Sequence, residues 1–207
     1  ISAAQNGDAA AIFSLEMSEK QILMRINSSI SGIPFYKLRN PQLLSDTEYQ
    51  LLLNTTSTTL TNLNIAIDDT PSITTVELKA KLRRLKKDRN IKIAFIDYLQ
   101  LMLPPKSKEK TIDDITEISN QLKATAKELD LPIIALSQLS RGPETRTTKK
   151  PIMADLRESG AIEQNADMIL FPFRPEYYGI TEFEDNQPTQ GKAEIIIAKN
   201  RHGATKD

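Results

Sequence analysis

Along the chain, short β-branched runs alternate with longer stretches of helical period. Ala9-Ala10-Ala11-Ile12-Phe13 is a strand candidate, because an unbroken apolar run leaves neither face for water. Comparable runs lie at Asn64 to Ile67, Ile91 to Ile96, Pro132 to Leu136, Met168 to Phe171 and Ala193 to Ala198. Between them the period changes. Ile22, Ile26 and Ile30 recur at every fourth position behind Ser18-x-x-Gln21, a capping box that opens a helix. Ser45-x-x-Glu48 and Thr74-x-x-Glu77 open two more in the same way, the second turning Leu78, Leu82 and Leu85 inward and its Lys and Arg outward. Asp113 to Leu129 carries Ile115, Ile118, Leu122, Ala126 and Leu129 on one helical face, and a short helix falls near Ile162. Gly32 and Pro34 end the first helix, and Asp68-Asp69-Thr70-Pro71 ends the second strand. Lys106 to Lys110 is expected to be a charged loop, and Arg141 to Lys150 a polar, mobile one.

Apolar strands separated by amphipathic helices imply an α/β fold, a mostly parallel sheet flanked by helices on both faces. A length of 207 residues suffices for one such domain, so a single domain over 1–207 is expected. The absence of Cys removes disulfides and thiolate zinc sites, and His202, the only histidine, removes multi-histidine metal sites. No apolar run approaches the roughly eighteen residues of a membrane span. The first residues carry neither the basic nor the apolar region of a signal peptide, so a cytoplasmic protein is expected. With 27 basic and 27 acidic residues there is no global field to attract a polyanion, and any nucleic-acid contact must come from local loops.

In a parallel sheet ligands gather beyond the carboxyl ends of the strands. Ile93-Ala94-Phe95-Ile96-Asp97 delivers a carboxylate at the tip of a buried strand, as a Walker B acid does to hold Mg²⁺ beside nucleotide phosphates. A turn or cap acid would give the same isolated pattern. Tyr98 follows, so a hydrolytic base must come from elsewhere. Glu16 is the candidate, in Phe13-Ser14-Leu15-Glu16-Met17-Ser18, placed to orient and deprotonate a water. The alternative is a first-turn helix acid favoured by the macrodipole. Ile133-Ile134-Ala135-Leu136-Ser137-Gln138 ends in an amide that suits a γ-phosphate sensor, or an ordinary turn. Glu, Asp and Gln on three strand ends together point to phosphoryl transfer to water.

These segments, together with Asp97-Tyr98-Leu99-Gln100-Leu101-Met102, Ala135-Leu136-Ser137-Gln138-Leu139-Ser140-Arg141 and Asp155-Leu156-Arg157-Glu158-Ser159-Gly160-Ala161-Ile162-Glu163-Gln164, resemble the signatures of DnaB-type replicative helicases. The resemblance runs in order from the first strand to Ala198-Lys199-Asn200-Arg201. It implies a RecA-like fold, a homo-hexameric ring, ATP and Mg²⁺ as cofactors, and movement on single-stranded DNA by a 5′–3′ type motor. Primase and a helicase loader are the implied partners, with no membrane. By position, Glu16 resembles the catalytic glutamate, Asp97 the Walker B acid and metal ligand, Gln138 the γ-phosphate sensor, and Arg25 an arginine near the same site. A helix-surface ion pair would also account for Arg25. Arg157, Glu158 and Gly160 resemble a channel loop that grips DNA phosphates, or else a capped helix start with an Arg–Glu pair. Lys199 and Arg201 resemble the pair, arginine finger included, that enters the neighbouring subunit's ATP site.

The pattern is incomplete. No G-x-x-x-x-G-K-[ST] phosphate loop occurs, and there is no initiator Met. A fragment truncated at both ends is expected, unable by itself to hydrolyse ATP competently. It would lack the family's helical collar and the strands beyond Asp207. Asn165 stands where the family commonly has an acid. Two other functions remain open: another RecA-like ring ATPase, recombinase-related or clock-type, sharing Asp97 and Glu16 without the Asp155 to Gln164 stretch, and a catalytically inactive ring module that binds DNA or a loader.

Overall fold

Local chemistry starts the three helices that open at Ser18, Ser45 and Thr74, each with a capping box. The computed structural model describes residues 1–104 and 112–205, except for the side chains of 112, 113 and 157–159. A single turn, α1 (Ser2–Gln5), precedes strand β1 (Ala10–Ser14). Helix α2 (Glu19–Ser31) begins at Ser18, whose amide donates to the Gln21 side chain at 3.0 Å while its hydroxyl accepts the Gln21 amide at 3.4 Å. It stops at Gly32, where φ is 72°, a left-handed turn that a Cβ would disfavour. After Pro34 come α3 (Phe35–Arg39) and α4 (Asp46–Thr58), the latter opened by the Ser45/Glu48 box. Strand β2 (Ile65–Asp68) leads to α5 (Thr75–Arg89), opened by the Thr74/Glu77 box, with Leu78 and Leu82 wholly buried. Next are β3 (Ile93–Asp97), α6 (Ile112–Glu128) and β4 (Ile133–Ala135). On α6, Ile118 and Leu122 are buried, as the helical period requires. The chain ends with α7 (Gly142–Thr145), α8 (Gly160–Asn165), β5 (Met168–Phe173) and β6 (Glu194–Asn200). The charged loop expected from Lys106 to Lys110 lies outside the described residues. Among the described residues no helix is long and apolar enough to cross a membrane.

The chain divides into two units, and the division falls within α6. The first, Ile1–Lys108 with Ala124–Ser137, holds a four-stranded sheet in the order β2-β1-β3-β4, every pair parallel. β1 has a neighbour on each side, and its Ala11 and Phe13 are buried. β1 and β2, and likewise β3 and β4, follow one another through helices and lie side by side, while the chain crosses from β2 past β1 to reach β3. A parallel sheet linked by helices is what the alternating pattern implied.

The second unit, Glu109–Lys123 with Gln138–Asp207, holds β5 and β6 as an antiparallel pair. Ile169, Phe171 and Phe173 of β5 pack with Ile196 and Leu156 in its core. Met168, Leu170 and Ile195 are exposed. The run Met168 to Phe171 thus resembles a strand buried on both sides in sequence, whereas its burial alternates residue by residue. Arg141 to Lys150, expected to be a mobile loop, instead carries α7 and an arginine fixed by a buried acid.

Candidate functional site

The carboxyl edge of the sheet in the first unit brings the two expected acids together. Ser14 of β1 stands in register with Asp97 of β3, and the Leu15 amide donates to the Asp97 carbonyl at 2.8 Å. Ser14 is buried, and its hydroxyl closes the next turn, donating to the Met17 carbonyl at 2.7 Å and accepting its amide at 3.2 Å. Glu16 rides on that turn and is exposed, while Asp97 is half-buried at the strand tip. The Asp97–Tyr98 peptide bond is cis. The two carboxylates therefore leave adjacent parallel strands at the same edge.

Other acids on this edge are already engaged. Asp68, at the tip of β2, pairs with Lys81 at 2.6 Å. Burial pushes the Asp68 carboxyl up, but hydrogen bonds from Lys81 and Thr70 outweigh it and hold the group below the ordinary carboxylate range. Asp69 accepts the Glu19 amide at 2.9 Å and so satisfies a first-turn N–H of α2. By contrast, neither Glu16 nor Asp97 takes part in an ion pair among the described residues. No cluster of three or more His, Cys, Asp or Glu that could enclose a metal occurs among them either. One half-buried carboxylate with a second leaving the same sheet edge suits Mg²⁺, which takes one or two carboxylates and draws its remaining ligands from water and substrate phosphates.

Gln138 and Arg25 are placed differently. β4 reaches its tip in step with β3: the Leu136 amide donates to the Ile96 carbonyl at 2.9 Å, and the Leu99 amide to the Leu136 carbonyl at 3.0 Å. Gln100 then donates to the Ser137 hydroxyl at 2.9 Å. Gln138 follows directly, exposed, as the first residue of its stretch in the second unit. Arg25 is exposed on α2 with its guanidinium 4.9 Å from the centre of the Phe35 ring. Among the described residues Arg25 makes this cation–π contact and none of the ion pairs that the sequence left open for it.

In the second unit, the stretch resembling a DNA-gripping loop is a 3₁₀ helix, Met153–Ser159, kinked at Leu156 and continuing into α8 at an exposed Gly160. The roles expected of the Arg157 and Glu158 side chains lie outside the described residues. What anchors the start of this helix is Asp155. It is buried, takes Arg146 Nη2 on Oδ1 at 2.9 Å and Nη1 on Oδ2 at 3.0 Å, and accepts the Ile152 amide at 2.8 Å. A Cβ at Gly142 would stand 2.4 Å from Asp155 Oδ1, so glycine is required for that approach. Sequence reasoning missed Arg146, because its partner lies nine residues away behind a polar segment with no helical or strand period.

The Arg146 hydrogen bonds hold the Asp155 carboxyl below the usual range, against the opposing effect of burial and with help from the Ile152 amide. A depressed folded-state pKa stabilises at neutral pH and is lost as pH falls from about 4 through the folded value. Asp155→Ala is therefore expected to cost about 2–3 kcal/mol at pH 7, leaving a guanidinium and an amide without their acceptor. In urea unfolding the gap between wild type and variant should shrink as pH is lowered from 7 towards 3. An equal gap at both pH values would show that the carboxylate charge contributes nothing.

Lys199 and Arg201, at and just after the end of β6, dock on the end of α8. Lys199 Nζ donates to the Glu163 carbonyl at 2.6 Å and lies 3.4 Å from that of Gln164. Arg201 Nη2 donates to the Gln164 carbonyl, and Nη1 lies 3.3 Å from Asp167 Oδ1. Cations are favoured at such carbonyls, which have no partner within the helix. Asn165, which stands where the resembled family commonly has an acid, donates to Asn120 Oδ1 at 2.7 Å and to the Ser119 hydroxyl at 3.1 Å.

Comparison with known proteins extends this picture. A family model described as the DnaB-like helicase C-terminal domain matches residues 1–207. Replicative DNA helicase DnaB of Mycobacterium intracellulare is 43% identical over 198 residues, which are 96% of this chain and 33% of that protein. The Geobacillus stearothermophilus helicase of the same name is 44% identical over 204 residues, 97% of this chain and 43% of its own length. The chain thus spans about a third to two-fifths of these relatives. Among solved structures, a DnaB-like replicative helicase described with its interactions with primase superposes with a TM-score of 0.88 at 35% identity, over 98% of this chain and 48% of that one. A solved ATPase domain matches with the same TM-score and identity, over 98% and 70%. The parallel sheet with its helices is accordingly the RecA-like one of such ATPase domains. Acids on adjacent strand tips, the order of the strands and a family match from first residue to last agree: the chain belongs to the DnaB-like helicase C-terminal domain family.

Proposed function

We propose that this chain is part of the ATP-hydrolysing motor of a replicative DNA helicase, acting in the cytoplasm as a homo-hexameric ring around single-stranded DNA. The observation that carries the reading is the placement of Glu16 and Asp97 on adjacent tips of one parallel sheet, free of ion pairs among the described residues. Asp97 is the residue to hold Mg²⁺ against the nucleotide, and that ion supplies neutralisation of phosphate charge. Glu16 orients water for in-line attack on the γ-phosphorus and accepts its proton as the bond to the β-phosphate oxygen breaks. Gln138 senses the γ-phosphate, and Arg25 lies on the helix that follows Glu16. Lys199 and Arg201 act on the nucleotide of the neighbouring subunit, where a planar guanidinium can bridge phosphoryl oxygens.

DNA would be held by phosphate contacts from Arg157, Glu158 and Gly160, which fix position without reading bases. A few such contacts per subunit, repeated round a ring, reconcile DNA affinity with zero net charge. Primase and a loader are the expected protein partners; the primase expectation is supported by the solved relative described with primase. The Asp155 to Gln164 stretch and the full-length family match favour a helicase over a recombinase-related or clock-type ATPase.

Full-length protein is expected to unwind a forked duplex only with hydrolysable ATP, with hydrolysis stimulated by single-stranded DNA. Hydrolysis without unwinding would indicate a different ring ATPase. Neither activity, with DNA binding retained, would indicate a scaffold.

A further inference from the structure

Arg201 is held from two directions by one residue. Its backbone amide donates to the Asp167 carbonyl at 2.9 Å, and its guanidinium meets Asp167 Oδ1 at 3.3 Å. The other carboxylate oxygen of Asp167 takes Lys123 of α6, so the carboxylate cannot simply rotate to follow the arginine. Asp167 immediately precedes β5, and Met168 pairs with Asn200, so the strand register itself sets Asp167 beside Arg201. A guanidinium has five N–H donors. The bonds to Asp167 and Gln164 occupy one on each terminal nitrogen, and the side chain stays exposed. Three donors remain for an acceptor arriving from outside.

We propose that Asp167 is the positioning residue for Arg201: it fixes the inner edge of the guanidinium so that the outer edge is presented, already oriented, to a phosphate of the neighbouring protomer. This rests on the reading of Arg201 as a residue that acts across the subunit interface. Ordering a long, rotamer-rich side chain is costly, and an arginine held before the nucleotide arrives has less freedom to lose at the transition state. Lys123 keeps the Asp167 carboxyl below its usual range, so the acid is charged throughout the neutral range. The ion pair is exposed, which bounds its effect: such pairs contribute little to stability, so orientation rather than folding is what it changes.

The test uses full-length hexamer. In Asp167→Ala, kcat for ATP hydrolysis is expected to fall roughly 3- to 10-fold, the scale set by returning rotamer freedom to one long side chain. KM for ATP should move by less than about twofold, because Asp167 does not touch the substrate in this account. Asp167→Glu should recover most of the rate. The double variant Asp167→Ala/Arg201→Ala should be no slower than Arg201→Ala alone, since Asp167 acts only through that arginine. Thermal unfolding of each variant is measured alongside, and midpoints close to wild type confine the loss to the site. If Arg201→Ala slows turnover while Asp167→Ala does not, or if the two losses multiply, the positioning role is overturned. If Arg201→Ala itself turns over normally, the trans-acting reading of Arg201 fails instead.

Discussion

In full-length protein, Glu16→Gln is expected to lower kcat for ATP hydrolysis by about 10²–10⁴-fold, the range that a positioned general base supplies. Nucleotide affinity should change little. The amide keeps the size and shape of the carboxylate, so packing in the Ser14–Met17 turn is undisturbed, and that turn is closed by Ser14 rather than by Glu16. Glu16 is exposed and has no ion-pair partner among the described residues that its neutralisation would strand. The variant therefore separates binding from chemistry. Asp97→Asn should do the reverse, weakening binding of the Mg²⁺–nucleotide together with turnover, since a metal ligand is lost. Equilibrium nucleotide binding and single-turnover hydrolysis by the two variants check this directly. Wild-type hydrolysis by Glu16→Gln would mean that a different group takes the proton, and would remove the central role assigned here.

The placement of Asp97 at the tip of β3, and of Glu16 just beyond that of β1, was legible in the sequence because strand tips are a local signal. An apolar run followed by an acid locates both the strand and its carboxyl end, and the parallel pairing that helical crossovers produce puts neighbouring carboxyl ends on one edge. The capping boxes at Ser18, Ser45 and Thr74 were legible for the same reason, each being complete within four residues. What the sequence did not disclose depends on partners distant along the chain. Nothing in Arg141 to Lys150 signals that Arg146 will close on Asp155, or that Gly142 must be bare to admit its oxygen. Nothing around Asp167 signals that it will receive Lys123 from α6 on one oxygen and Arg201 from the end of β6 on the other. The antiparallel pairing of β5 with β6 was hidden too. Met168-Ile169-Leu170-Phe171 is apolar throughout, so the alternation that marks a one-sided strand is absent from the residue types and visible only in their burial.

Arg201→Ala should reduce kcat by about 10³-fold or more, as loss of an arginine finger does, with folding retained because its ion pair is exposed. The informative experiment is to mix it with Glu16→Gln. If each catalytic site takes Glu16 from one protomer and Arg201 from the next, both pure variants are inactive because every site is defective. In rings assembled from equal amounts of the two, a protomer retaining Glu16 will sometimes meet a neighbour retaining Arg201. That junction carries an intact site. Random assembly of such head-to-tail contacts makes about a quarter of the sites complete, so activity should rise well above both parents after subunit exchange. If Arg201 worked within its own protomer, no mixture could assemble an intact site, and the activity of the blend would stay at the mean of its components. The docking of Lys199 and Arg201 on the carbonyl end of α8 does not oppose the trans arrangement, since the guanidinium remains exposed with donors to spare. Adding Asp167→Ala to the Glu16→Gln partner should then blunt the restored activity, because the only useful arginine in the mixture would be the one deprived of its support.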